Sequence, residues 1–251
     1  MDIISLVVFA VDSTLKSKNT ETKYLTFSKN LLIYVRPTGL FVNAKLGDPM
    51  SLKDNIIHEA MKLFSLNGYL GTGINEILQA TGSSKGGLYN HFSSKEELFF
   101  AVLAEAQSIW RRKVLFGLDE IDSPFEKIIR LLKNYSDRYL KDGDIFPGGC
   151  IFITFSVELD DQLPHLAAEV NKGFVGLKKL MKRYLDESKT LGEVAGDVDT
   201  KAVTEMIFTG MLGASVLYGV DKSSESLDLS VKALIDYLQS LKINIPIEFA
   251  A

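Results

Sequence analysis

From Ser51 onward apolar residues return every three or four positions, and short polar or glycine-bearing breaks separate the runs. Ile56, Ile57, Ala60, Leu63 and Phe64 follow this spacing and predict an amphipathic helix over 51–67, closed by Asn67-Gly68. Thr72 can cap a second, short helix carrying Ile74, Ile77 and Leu78. That helix ends at Thr81-Gly82, where glycine supplies the left-handed position past a helix end. Ser84 opens a third helix that reaches Phe92. Ser94-Lys95-Glu96-Glu97 reads as a capping box, with serine at the cap and glutamate three residues on. It launches a long helix with Leu98, Phe99, Val102, Leu103 and Ala106 in register. Five further helices are predicted over 123–141, 149–160, 164–187, 199–219 and 224–242. No alternating strand pattern and no internal repeat occurs after residue 50. The expected fold class is all-α: an N-terminal helix-turn-helix domain of three helices over 50–100, then a helical domain over 101–251.

The first 49 residues do not share this period. Lys16 to Lys29 is polar. Leu31 to Val35 is a short apolar and β-branched run closed by Pro37 and Gly39, and Gly47-Asp48-Pro49 signals a turn or linker. Two readings stand. Residues 1–49 are either a small β-containing appendage or a poorly ordered extension. In the second case they include upstream sequence read through from an early start codon, with Met50 as the natural start. The extension is the preferred reading.

Composition narrows the field. The chain has 251 residues, 46% apolar and 24% charged, which excludes a largely disordered or collagen-like protein. One cysteine excludes an intramolecular disulfide and any zinc site with several cysteine ligands. The three histidines, His58, His91 and His165, are scattered, so neither a metal centre nor a cofactor is expected. No apolar run approaches the ~18 residues of a membrane span. Ile3 to Val11 is too short, and no Lys or Arg precedes it as a secretory signal requires. The expectation is a soluble, cytoplasmic protein.

Two short helices joined by a tight turn form a helix-turn-helix pattern, here 73–80 and 84–92 linked through Thr81-Gly82-Ser83. The second is unusual, because Gly86 and Gly87 each cost roughly 1 kcal/mol against alanine in a helix interior. Beside them stand Ser83, Ser84, Lys85, Tyr89, Asn90 and His91. A slim, donor-rich helix suits approach to a phosphate backbone and to base edges. Tight packing of two helices would also explain the glycine pair.

The wider string is Phe64, Gly68-Tyr69, Thr72, Ile77, Gly82, Ser84-Lys85-Gly86, Leu88-Tyr89, His91-Phe92 and Lys95-Glu96-Glu97-Leu98. It closely resembles the DNA-binding domain of the TetR family of transcriptional regulators, over residues 51 to about 100. The resemblance implies that Thr72 caps the second helix where hydroxyl and amide groups meet a phosphate. It implies that Ser84, Lys85 and Gly86 begin the recognition helix, that Gly87 lets its backbone sit close to the groove, and that Tyr89, Asn90 and His91 lie on the DNA side. Gly73 stands where the family often has Ser or Thr. Lys95 looks like a backbone-clamping lysine, Lys53 is a weaker candidate, and Leu88 and Phe92 read as core. The implied function is a ligand-released repressor that binds double-stranded DNA at a palindromic operator as a homodimer, released by a small-molecule effector, and not an enzyme. The family has few residues before its first helix, so residues 1–49 depart from the pattern.

Charge tempers this picture. Residues 50–112 hold six basic and six acidic side chains, whereas 113–251 hold sixteen against twenty-two. DNA binding therefore has to rely on local placement and on doubling in a dimer.

Cys150 near a helix start could be a reactive thiol, but a small packed residue is the preferred reading. Glu158, Asp160 and Asp161 read as a solvated acidic turn. Trp110 with Arg111, Arg112 and Lys113 reads as a basic cluster snorkelling over apolar surface. Of the aromatics Phe116, Phe125, Tyr135, Tyr139, Phe146, Phe152, Phe155, Phe174 and Tyr184, a subset could line a ligand cavity. Small residues Gly210, Gly213 and Ala214, and the apolar period of 227–241, suit a four-helix dimer interface. The rivals are an all-α enzyme using Cys150 with His165 as base, and a DNA-binding protein without ligand control.

Overall fold

The computed structural model describes the backbone of residues 23–28, 31–36 and 39–45, and residues 50–243 in full. The Ile3 to Val11 run and the Gly47-Asp48-Pro49 signal lie outside the described residues. The chain divides into two compact units, 1–51 and 52–251. In the first, β1 (Lys23–Ser28), β2 (Leu31–Arg36) and β3 (Gly39–Lys45) form an antiparallel meander in that order. Tyr24 pairs in register with Tyr34, and Tyr34 with Phe41. These three strands are of the kind the β-containing alternative anticipates. The Leu31 to Val35 run forms the central strand, where β-branched and apolar residues fit best.

The second unit is all-α. Its helices are α1 (Leu52–Gly71), α2 (Ile74–Thr81), α3 (Lys85–Tyr89), α4 (Lys95–Val114), α5 (Pro124–Asn134), α6 (Ile151–Leu159), α7 (Pro164–Thr190), α8 (Thr200–Asp221) and α9 (Ser224–Ser240). A π-helical stretch, Tyr135–Leu140, continues α5. The expected break at Asn67-Gly68 lies inside α1: Gly68 takes φ 78°, and Tyr69–Gly71 forms one more turn in a new direction. Such a φ is open to glycine at little steric cost. α3 is shorter than the predicted 84–92. Its end tightens as the His91 N–H bonds to the Leu88 carbonyl at 2.9 Å, and Phe92 then turns into the core.

The periodic apolar positions meet as predicted. Ile56, Ala60 and Phe64 of α1, Ile77 of α2, Leu88 of α3, and Leu98, Phe99 and Val102 of α4 are all buried in one core. Serines cap α4 and α5: Ser94 accepts from Glu97 N at 3.0 Å and Ser123 from Glu126 N at 3.1 Å. The capping box at Ser94 is only half formed. The Glu97 carboxylate instead accepts from the Ser93 N–H and hydroxyl, both at 2.7 Å. α8 is the one described helix long and apolar enough, by length and composition, to cross a membrane. In the fold it packs between α7 and α9.

A chain begun at Met50 is expected to unfold cooperatively. Its melting midpoint should stay within about 4 °C of the full chain, the shift that roughly 1 kcal/mol produces in a domain of this size. Loss of cooperativity, or a larger fall in a calorimetric scan, would show that residues 1–49 complete the helical core.

Candidate nucleic-acid interface and ligand cavity

The α2–turn–α3 unit is held by its own backbone. Gly82 adopts φ 64° past the end of α2, and the N–H groups of Gly82 and Ser83 bond to the carbonyls of Gln79 and Leu78. The Thr81 and Ser83 hydroxyls meet at 2.8 Å across the turn. The Asn55 amide ties α1 to the Thr81 carbonyl at 3.4 Å. Ser84 caps α3, accepting from the Gly87 N–H at 3.1 Å. Ile77, Leu88 and Phe92 anchor the unit from inside, so its polar side faces outward.

Ser84, Lys85, Gly86, Tyr89, Asn90 and His91 are exposed together on that side, as is Gly73 at the start of α2. The Lys85 ammonium lies 5.9 Å from the centre of the Tyr89 ring. A Cβ on Gly86 would meet nothing closer than the Ser84 hydroxyl at 3.9 Å, and one on Gly87 would meet Leu52 of α1 and the Ser84 hydroxyl at 3.4 Å. Both are ordinary contact distances, so packing within the chain requires neither glycine, and the pair leaves the outer face slim.

Thr72 is corrected. It is fully buried, and its hydroxyl donates to the Gly68 carbonyl at 2.7 Å, back toward the break in α1. The residue capping α2 is Gly73, whose N–H is held by the Glu76 carboxylate at 2.5 Å. Lys95 is half-buried, with its ammonium 4.4 Å from the centre of the Tyr69 ring. Burial pulls its pKa below the ordinary lysine value, and the charges of Glu158 and Glu76 oppose that fall. Lys53 lies over the Phe92 ring at 5.8 Å.

Beneath this unit, α1, α4 and α6 cross at a knot of rings. Phe64 meets Tyr69 at 5.5 Å and Phe155 at 6.1 Å, while Phe99 meets Tyr69 at 5.2 Å and Phe155 at 4.9 Å. Gly148, in the loop before α6, presses on α1 so closely that a Cβ would fall 1.7 Å from the Ser65 carbonyl oxygen. The reading of Glu158 as solvated is overturned. Its carboxylate accepts the Tyr69 and Leu70 N–H groups at 2.6 and 2.8 Å. Asp160 and Asp161 are exposed as expected.

A cavity of about 390 Å³ opens among α4, the π-helical stretch, α6, α7 and α8. Trp110, Phe152, Phe174, Phe208, Leu177 and Met211 give it an apolar wall, and Gln107, Arg111 and Lys172 are its polar members beside Tyr135 and Cys150. The aromatics that sequence left undivided now separate: Tyr135, Phe152 and Phe174 line the cavity, while Phe125, Phe155 and Tyr184 are core. Cys150 is buried with its sulfur 3.6 Å from the Tyr139 hydroxyl. Burial pushes the thiol pKa up, more than the backbone amides at the start of α6 pull it down. The basic cluster also divides. Arg111 reaches the cavity, Arg112 pairs with Glu105 at 3.3 Å, and Lys113 pairs with Asp142.

The sequence model described as bacterial regulatory proteins, tetR family, matches residues 56–102, and that of the tetracyclin repressor-like C-terminal domain matches 124–234. The HTH-type transcriptional repressor DhaR of Mycobacterium sp. (strain GP1) is 25% identical over 189 residues, 74% of this chain and 92% of that protein. QacR, an HTH-type transcriptional regulator of Staphylococcus aureus, is 45% identical over 64 residues, 26% of this chain and 34% of that protein. A TetR transcriptional regulator from Chloroflexus aurantiacus has a crystal structure similar at a TM-score of 0.71 and 27% identity, covering 76% of this chain and 96% of that one. The chain belongs to the TetR family.

As a TetR-family member it is a DNA-binding transcriptional regulator and not an enzyme. The geometry agrees. Cys150 is buried beside Tyr139, whereas His165 meets Glu96 of α4 at 3.2 Å, so the nucleophile and base of the enzyme reading are not brought together. Within this TetR-family fold, sequence reasoning missed Glu158 and Gly148. The only available signal for Glu158 was Gly68, whose broken helix leaves amides in need of an acceptor.

The buried, neutral thiol generates a prediction. Native protein at pH 7 to 8 should resist alkylation until it unfolds, because the thiolate is the reactive form. Cys150→Ala should leave DNA release by oxidants unchanged. Release of the wild type by peroxide, with the variant spared, would make Cys150 a sensor instead.

Proposed function

We propose that the chain is a ligand-released repressor that acts in the cytoplasm as a homodimer on a palindromic operator. The observation that carries this reading is the outer side of α2 and α3. Gly73, Ser84, Lys85, Gly86, Tyr89, Asn90 and His91 are exposed there, while the apolar residues of the same segment are buried. This face enters a major groove, with α3 as the recognition helix and the Ser84 end nearest the bases. Lys95, at the start of α4, meets a backbone phosphate. Thr72 plays no part in the contact, and its role is to hold the bend at Gly68.

The dimer reading is supported by α8. Met206, Gly213, Leu217 and Val220 recur at helical spacing and are all exposed, with Val216 beside them. A run of exposed apolar residues of this kind marks an interaction surface. Gly210 has a different task, because a Cβ there would strike Leu234 of α9 at 2.6 Å within the same chain. The effector occupies the cavity. No Asp or Glu lines it, and its charged members are Arg111 and Lys172, so an apolar molecule that is uncharged or anionic fits best. Its occupancy shifts the regulator only by its differential affinity for the DNA-binding and released conformers.

A salt titration of two variants on operator and on random duplex tests the assignment of the DNA face, with thermal melts as a folding control. Lys95→Ala should weaken binding about equally on both DNAs and lower the salt slope by roughly one per subunit. Tyr89→Phe keeps the ring and removes one hydroxyl, so operator affinity should fall by about 1 kcal/mol while the fold survives. Unchanged non-specific binding by Lys95→Ala, or wild-type binding by both variants, would place the DNA on another face.

A further inference from the structure

Glu158 stands one residue before the end of α6, yet its carboxylate is seated in a backbone notch of α1. The break at Gly68 starts a new turn whose first N–H groups lose their helical acceptors. A carboxylate is the strongest acceptor available to such amides, and it also suits the positive end of the turn. Gly68 makes room for it, since a Cβ there would lie 2.4 Å from the Glu158 Oε1. Lys95, over the Tyr69 ring, adds a favourable charge nearby. The same turn runs through Gly71 and buried Thr72 into Gly73, the cap of α2. The notch is therefore one of the two points at which the helix-turn-helix joins the helical body, the other being the link from α3 into α4. α6 spans nine residues, or about 13 Å. At its far end Cys150 and Phe152 form part of the cavity wall.

We propose that Glu158 is a positioning residue for operator binding: by holding the Tyr69 and Leu70 N–H groups it sets the angle at which α2 and α3 leave the body, and so the separation of the two recognition helices in a dimer. Glu158 itself does not touch DNA. The inference rests on the dimeric-regulator reading above. Because α6 also borders the cavity, the residue that sets this angle sits on the element an effector would contact.

The test uses the full chain and two duplexes. One is an inverted-repeat duplex recovered by selection from random DNA, and the other is the same duplex with one half scrambled. A misangled head still binds one half-site but forfeits the linked second contact. Glu158→Ala should lose about tenfold in affinity for the inverted repeat and stay within about twofold of wild type on the scrambled duplex. Glu158→Gln, which keeps an acceptor without the charge, should fall between. Equal losses on both duplexes with a lowered melting midpoint would reveal a merely structural contact and overturn the proposal, as would wild-type binding by Glu158→Ala. If the wild type does not prefer the inverted repeat, the dimeric-regulator reading falls, and this inference with it. Amide exchange on the wild type gives a readout that needs no variant. Tyr69 and Leu70 should exchange as slowly as the interior of α6, and free exchange at these two positions would overturn the proposal.

Discussion

The crossing of α1, α4 and α6 is the constraint on which the rest of the structure depends. Phe64, Tyr69, Phe99 and Phe155 bring three helices to one point through edge-on and tilted ring contacts. Such pairs contribute about 0.5–1.5 kcal/mol each beyond the burial of their area. The larger consequence is geometric. A DNA-binding unit of two short helices cannot support itself, since helices of this length are marginal alone. Here α2 and α3 borrow rigidity from α1 beneath them, and α1 borrows it from the ring knot. The bend at Gly68 then turns the chain outward, and buried Thr72 and the Glu158 carboxylate hold that bend from two sides.

This arrangement lets a chain of net charge −4 serve as a DNA-binding protein. The acidic side chains are concentrated after residue 112, while the helix-turn-helix and its supports are balanced. In the proposed complex, attraction to phosphate comes from a few placed groups rather than from a basic surface: Lys85, Lys95, the outward donors of α3 and backbone amides at helix starts. Local placement makes the pose of the unit more important than its charge. It explains why so much of the structure goes into fixing one turn.

Much of this was legible in the sequence. Periodicity located each helix after residue 50 to within a few residues, because each buries one apolar stripe. Ser84 and Ser94 cap as their positions suggest. The helix-turn-helix was legible because Gly82 and the flanking apolar pairs are local signals. What escaped was non-local. Thr72 looks like a cap by its place before a helix, but burial turns its hydroxyl backward. Glu158 looks like surface because its partners lie 88 and 89 residues away in the chain. Gly148 looks like a turn residue, yet its small size answers a carbonyl of α1. Gly86 and Gly87 read alike in sequence, and only the fold shows that Leu52 of α1 lies beside the second.

In the proposed dimer, two copies of α3 read two successive turns of one groove. Selection of binding duplexes from random DNA by the purified chain, followed by sequencing and footprinting of the enriched pool, tests it most directly. The expected product is an inverted repeat whose half-site centres lie about 10 to 11 base pairs apart or a little more, protected on one side of the duplex. Enrichment of a single asymmetric half-site, or no enrichment over the starting pool, would contradict it.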